Sequence, residues 1–257
     1  MSTALPVRSL AVALAAAVVL TGCSLLEDEP AGGDSPPAQI KDDAVAGEKA
    51  PYADMEPAEI LQLAEDTTAK TKTVKAKATY VDGGEKFTYQ LQISRKGRIK
   101  GTVHDKETGT MKIIGVGKTG YMQFSKKDLV EMAEGDQGFL DAMQGRWLSY
   151  EKGSDKDLDA MFDILEIDAL LEDIVGVHSS QSNLQQVEGK TFQGRETIGI
   201  KRAKAKGVAY VAADGSGELV AYTGPGASVV LTDFNQKLKI QPPKNVLSME
   251  DLAAGKW

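Results

Sequence analysis

The residues that could do chemistry in this chain are few, and their spacing argues against most of what they suggest. Gly115-Val116-Gly117-Lys118-Thr119-Gly120 spells G-x-G-x-x-G after a strand-like run. A dinucleotide site needs a helix N-terminus next, to hold the pyrophosphate. Tyr121-Met122-Gln123-Phe124 instead continues as strand, so a glycine-rich hairpin turn is expected. Gly117-Lys118-Thr119 and Gly189-Lys190-Thr191 fail as phosphate loops, because Lys112 and Leu184 stand where such a loop begins with glycine. Asp155, Asp157, Asp159, Asp163 and Glu166 fall at positions 1, 3, 5, 9 and 12 of an EF-hand-like loop, but Ala160 occupies the position whose sharp turn requires glycine. The same stretch carries Leu158, Met161, Phe162 and Leu165 at helical spacing, with Ser154 and Asp157 as a capping start. A segment cannot be both a wrapped calcium loop and a straight amphipathic helix, so a helix with a solvated acidic face is expected. His104 and His178 have no nearby Cys or His at ligand spacing and read as surface or turn residues. Carboxylates are abundant, yet nothing singles out two of them as a glycosidase pair. The expectation is a protein that is not an enzyme, with no catalytic residue, no metal and no cofactor.

Composition narrows the choice further. Among 257 residues, 30 are Lys or Arg and 37 Asp or Glu, for a net charge of −7. Phosphate neutralisation needs a concentrated basic surface, so this balance speaks against nucleic acid as a partner. A single cysteine excludes an internal disulfide, a zinc ribbon and an iron–sulfur cluster.

That cysteine stands at an informative place. Arg8 precedes an uncharged run of Leu, Ala and Val over residues 10–20. At about 11 residues the run is too short to span a bilayer, which needs roughly 20. It ends in Leu20-Thr21-Gly22-Cys23, which resembles the lipobox of bacterial lipoproteins. The resemblance implies that residues 1–22 are a signal peptide, that the Cys23 thiol receives a diacylglyceryl group, and that Cys23 becomes the first residue of the mature chain. Two acyl chains hold a protein stably to a bilayer, where one holds it only marginally. The expected location is therefore the bacterial cell membrane, lipid-anchored through Cys23 and facing outside the cytoplasm. Removing Arg8 leaves 29 basic against 37 acidic residues, a mature charge of −8.

Residues 23–54 mix Glu27, Asp28, Glu29, Asp34, Asp42, Asp43 and Glu48 with Gly32, Gly33, Pro30, Pro36, Pro37 and Pro51. So little apolar surface cannot offset ordering entropy, and the stretch reads as a disordered acidic tether. Its roughly 30 residues have an r.m.s. reach of about 30 Å.

Residues 55–257 read as one folded domain. An amphipathic helix is expected over 56–70, with Pro57 near its start. Strands follow over 74–80, 87–94, 98–104, 110–116 and 120–124. Phe87, Tyr89, Leu91 and Ile93 alternating with Thr88, Gln90, Gln92 and Ser94 form the clearest period-two pattern. Helical stripes occupy 127–132, 137–143, 158–165 and 168–175, with a short strand over 146–150. Strands resume over 183–188, 191–201, 207–212, 218–222, 227–234 and 237–240. This clustering predicts an α+β fold: one curved antiparallel sheet, an unclosed half-barrel, with helices on its concave face. A lipobox, an acidic tether, a first helix, a meander containing Ile113-Ile114-Gly115-Val116-Gly117-Lys118-Thr119-Gly120-Tyr121-Met122, a helical insert with Asp-Ala-Leu-Leu and a second meander are together similar to the actinobacterial lipoproteins grouped with LppX, LprG and LolA. The resemblance implies a LolA-like half-barrel and, in several members, a cavity for acyl chains. It carries no catalytic residue and no ligand motif across.

Tyr89, Leu91, Ile93, Leu129, Met132, Leu140, Met143, Met161, Phe162 and Leu165 are the candidate cavity walls, chosen for their apolar stripes and for the methionines that recur on adaptable binding surfaces. The expected ligand is lipid or glycolipid in character. A surface scaffold or interaction module with a filled core is the competing expectation. Lys70, Lys72, Lys75 and Lys77 lead into the first strand and read as the exposed face of a sheet in preference to an anionic-lipid patch.

Overall fold

The computed structural model describes residues 51–82, 84–106, 109–164 and 183–256. The expected signal peptide, Cys23 and most of the expected tether lie outside the described residues, as do the expected helix at 168–175, Leu165, Glu166 and His178.

Helix α1 (Pro57–Lys70) opens with a capping box, in which the Glu56 backbone N–H donates to Glu59 Oε2 at 2.8 Å and Pro57 occupies the first turn. Its last turn is tied down from a distance: Arg95 donates through Nε to Thr71 O at 2.9 Å and through Nη2 to Thr68 O at 3.0 Å. The cation thus meets the unpaired carbonyls and the negative end of the helix together. Strands β1 (Thr73–Asp82), β2 (Glu85–Ser94), β3 (Arg98–Asp105), β4 (Gly109–Val116) and β5 (Thr119–Gln123) form the first meander. The insert supplies α2 (Lys126–Ala133), α3 (Gln137–Met143), β6 (Trp147–Glu151) and α4 (Lys156–Ile164). The second meander holds β7 (Leu184–Val187), β8 (Thr191–Phe192), β9 (Arg195–Arg202), β10 (Val208–Ala212), β11 (Leu219–Gly224) and β12 (Ala227–Thr232). Then β13 (Val246–Ser248) and α5 (Met249–Ala253) follow.

The strands join in the order β13-β6-β5-β4-β3-β2-β1-β12-β11-β10-β9-β7, with β8 pairing β9 off this path. The antiparallel β1·β12 pair welds the two meanders into one curved sheet that does not close. This is the expected α+β half-barrel. Its sheet is mixed, because β13 runs parallel to β6.

Several local expectations are corrected. The run at 191–201 is broken by Gln193 and Gly194, at φ 50° and 81°, which fold β8 back on β9. Residues 237–240 are not a strand. The chain must pass from β12 to β13, seven strand spacings away or about 34 Å. The intervening residues 233–245 reach about 43 Å fully extended, so they cross the sheet instead of pairing within it. Helix α4 is capped by Asp155, whose Oδ1 accepts from the Leu158 N–H at 3.0 Å, and not by Ser154. The fold also begins earlier than residue 55. Tyr52 is buried, its hydroxyl donating to Ala212 O at 2.9 Å and accepting from the Gly217 N–H at 3.1 Å.

The glycines of 115–120 build a hairpin, as expected, and do more besides. Gly117, at φ 65°, opens the two-residue turn between β4 and β5, where primed turns favour glycine. Gly115 and Gly120 face each other across the strands. A Cβ on Gly120 would overlap the Tyr150 ring and stand 3.0 Å from Phe162, so the pair forms a recess that admits both rings. Overpacking such a site costs about 2 kcal/mol. Gly120→Ala is predicted to lower the thermal midpoint by about 4–8 °C in a scan of the folded domain; a change under about 2 °C would contradict the recess.

Candidate functional site

Register places the inward side chains in rows across the sheet. Leu231, Ala76, Leu91, Gly101, Ile113, Met122, Leu148 and Leu247 are successive cross-strand neighbours from β12 to β13. Beside them run Val74, Ile93, Ile99, Gly115, Gly120 and Tyr150. Both rows are sealed apart from half-buried Gly101. Ile93 and Ile113 are 0% exposed. Leu129 of α2, Met143 of α3 and Phe162 of α4 close over this half. The Phe162 and Tyr150 rings lie 5.3 Å apart, and the Tyr150 hydroxyl donates to Leu158 O at 3.3 Å. Burial, reinforced by Asp159, Asp163 and Asp155, pushes the Tyr150 phenol well above its ordinary range.

Toward the other end of the strands the cover thins. The third row runs Tyr222, Val229, Ala78, Tyr89, Val103 and Met111, and the fourth runs Ala227, Tyr80, Phe87 and Asp105. Tyr89 is still 7% exposed at most, whereas Tyr80, Phe87, Val103, Met111 and Tyr222 are half-buried, as are Phe124, Phe139 and Leu140 beside them. Tyr80 meets Tyr89 edge to face at 5.7 Å and 85°, an arrangement aromatic pairs favour. Among the described residues the inner face is thus closed over two rows and only partly covered over the next two, where Ala78, Tyr89, Asp105 and Val229 are buried and their neighbours half-buried.

Of the expected cavity residues, Tyr89, Leu91, Ile93, Leu129, Met143 and Phe162 come together in one buried cluster, with Leu140 packed against it. Met132 is half-buried on α2. Met161 lies in α4, and its side chain is outside the description, as Leu165 is altogether. Leu91 and Ile93 sit beneath the helices, so they are floor and not mouth. Tyr80, Phe87 and Val103 were not among the expected residues, although continuing the β2 alternation two positions toward its start finds Phe87 and its partner Tyr80.

α1 covers the second meander, with Ile60 and Ala64 against Ile200 and Val211. Beside it a cleft of about 250 Å³ opens between the turn at 51–55 and the β7/β9 edge, lined by Pro51, Tyr52, Ala53, Met55, Gln186, Ile198 and Ala213. Arg195 braces this end by bonding Glu218 at 2.6 Å and Asp214 at 3.2 Å. Asp155 and Asp159 serve as local caps, Asp159 accepting from the Gly153 N–H at 3.0 Å, and Asp163 pairs with Lys152 at 2.5 Å. His104 is exposed, its Nδ1 2.9 Å from Thr110 Oγ1. Among the described residues no helix is long and apolar enough to cross a membrane.

Comparison with known proteins finds no matching family model and no curated relative. Among solved structures, LprF from Mycobacterium bovis aligns over 73% of this chain and 96% of its own, at 12% identity and a TM-score of 0.51. The fold is that of LprF. The lipoprotein LppX of Mycobacterium tuberculosis aligns over 73% of this chain and 100% of its own at 16% identity, with a TM-score of 0.45. The likeness to LprF bears out the half-barrel at the level of the fold.

Burial raises the phenol pKa of Tyr52, Tyr89, Tyr150 and Tyr222 alike. A pKa raised in the folded state gives stability that is full below the unfolded value, about 10, and lost as pH rises through the folded one. The urea midpoint is predicted to fall between pH 9 and pH 12, and Tyr52→Phe to be about 1–2 kcal/mol less stable at pH 8 through its lost hydrogen bonds. An alkaline-insensitive midpoint would contradict this burial.

Proposed function

We propose that this chain is a non-enzymatic envelope lipoprotein, anchored through diacylated Cys23 and a tether at 24–50, that holds a lipid-like ligand against the open rows of its inner face. The observation that carries the reading is the gradient of cover: Ile93 and Ile113 are fully sealed, whereas Tyr80, Phe87, Val103 and Met111 remain half-buried on the same face. The LprF-like fold supports it, since the sheet of that fold is broad and unclosed.

The mechanism is physical. An acyl chain leaving a bilayer forfeits about 0.8 kcal/mol per CH₂, so one of about 16 carbons gives up on the order of 13 kcal/mol unless protein replaces that burial. At about 25 cal/mol per Å² this takes roughly 500 Å² of apolar wall. The two outer rows reach from β12 to β4, four strand spacings or about 19 Å, and present aromatic and aliphatic side chains except at Asp105, the buried carboxylate that ends the fourth row on β3. The sealed rows beneath them hold the sheet rigid while the open rows accept the guest. The tether lets the body swing toward a membrane while the anchor stays in place.

Native mass spectrometry of the mature chain from its own host, with lipid extraction, tests the ligand: stoichiometric lipid is expected. A clean apo mass with no uptake of fluorescent fatty acid would favour the scaffold reading, for which the sealed half of the core is the supporting observation. Cys23→Ala is expected to move the protein from the membrane to the soluble fraction and to abolish palmitate labelling; continued labelling would refute the anchor.

A further inference from the structure

The opposite face of the same sheet carries a charge pattern that the sequence scatters over four strands. Outward positions are Lys75 and Lys77 on β1, Lys86 on β2, Arg98 and Lys100 on β3, and Lys112 on β4, all exposed. Register makes them neighbours. Lys75, Gln92 and Lys100 form one cross-strand row, and Lys77, Gln90, Thr102 and Lys112 form the next. Two such rows are about 7 Å apart along the strands, and adjacent strands about 4.8 Å apart, so Lys75, Lys77, Lys100 and Lys112 fall within about 15 Å of one another, with Arg98 one row beyond Lys75 and Lys86 two rows beyond Lys77. The remaining outward positions of β12 and β1–β5 are Thr, Ser, Gln, Val, Ile, Tyr and His. The first carboxylate met along these rows is Glu151 on β6, which accepts from Thr119. At the margins stand Asp233, 2.6 Å from Lys75, and Glu85 in the β1–β2 hairpin.

This is not general basicity. From residue 51 onward the chain has 27 basic and 30 acidic residues, and residues 24–50 add seven carboxylates against two lysines. In a net-acidic chain, chance placement would put carboxylates among these outward positions. Their exclusion concentrates positive potential on one face, and a like-charged cluster costs stability unless an anionic surface neutralises it.

We propose that this outer face docks on a bilayer containing anionic phospholipid. Each Lys or Arg near such a surface contributes attraction that dies away within a Debye length, about 8–10 Å, so cations gathered on one face count while the dispersed acidic residues elsewhere count little. The inference rests on the anchored-lipoprotein reading for the nearness of a membrane. It orients the body with its back to the headgroups and its open rows turned away, toward the aqueous side of the envelope.

The test uses the full mature chain with Cys23→Ser, so that no acyl anchor contributes. Co-sedimentation is measured with vesicles of phosphatidylcholine alone and with 30 mol% phosphatidylglycerol, in 50 and 500 mM NaCl. Binding is expected to be at least tenfold stronger to the anionic vesicles at low salt and to fall at least tenfold at high salt. Lys77→Glu/Lys100→Glu/Lys112→Glu should abolish it, while Lys244→Glu/Lys256→Glu, on exposed residues elsewhere, should leave it unchanged. Should the charge reversal disturb the thermal midpoint, the glutamine triple variant replaces it and should weaken binding at least fivefold. Equal binding to both vesicles, no binding, or an unaffected triple variant overturns the proposal. Lipid extraction reads the cargo separately: bound cargo without vesicle binding sinks the docking face alone, and vesicle binding without cargo sinks the carrier reading alone.

Discussion

The structure depends on one constraint: a broad apolar sheet face has to be kept from water by whatever the chain can lay across it. Twelve strands in one path span about 53 Å at 4.8 Å each. The described helices of the insert have 8, 7 and 9 residues, so each is only about 10–14 Å long. They seal two rows and stop. The recess at Gly120 shows how tightly the sealed part is fitted, since Tyr150 and Phe162 occupy the space that a side chain there would take. Beyond it, half-buried aromatics stand at the edge of the packing. Among the described residues, a closed floor with a partly covered margin follows from a sheet wider than these three helices.

The same sheet separates two kinds of surface by strand alternation alone. Inward residues of β1 to β4 are mostly Val, Ala, Ile, Leu, Tyr, Phe, Met and Gly, with Asp105 at the margin; outward residues on the same strands are mostly Lys, Arg, Thr and Gln, with buried Ile114 among them on β4. A one-residue slip in register would exchange grease for charge along a whole strand. The hairpin turns that hold the register, such as Gly117, therefore matter as much to any function on either face as the residues of the faces do.

Much of this was legible in the residues. The β2 alternation, the glycine turns, the first helix and the helical insert each declare themselves locally, and the non-closing sheet follows from their order. What was missed is non-local. Nothing in Val246-Leu247-Ser248 announces a parallel pairing with Trp147-Leu148-Ser149 about 100 residues away, and three residues are too few for a period to register. Residues 237–240 alternate like a strand but are spent on crossing the sheet. Hydrophobic periodicity finds what is buried but cannot tell floor from mouth: Leu91 and Phe87 obey the same alternation, yet Leu91 is sealed and Phe87 half-buried. The basic face was visible only in its first lysines, because Lys86, Lys100 and Lys112 join them through register and not through sequence.

In the proposed carrier the outer rows, and not the cleft at residues 51–55 or the sealed floor, receive the acyl chain. Photo-crosslinking the mature chain with a diazirine-bearing fatty acid, followed by peptide mapping, addresses it directly. The account predicts labels on peptides carrying Phe87, Val103 and Met111, competed by unlabelled fatty acid. Labels confined to Pro51–Met55 or to the outer lysine-bearing positions, or none above background, would contradict it.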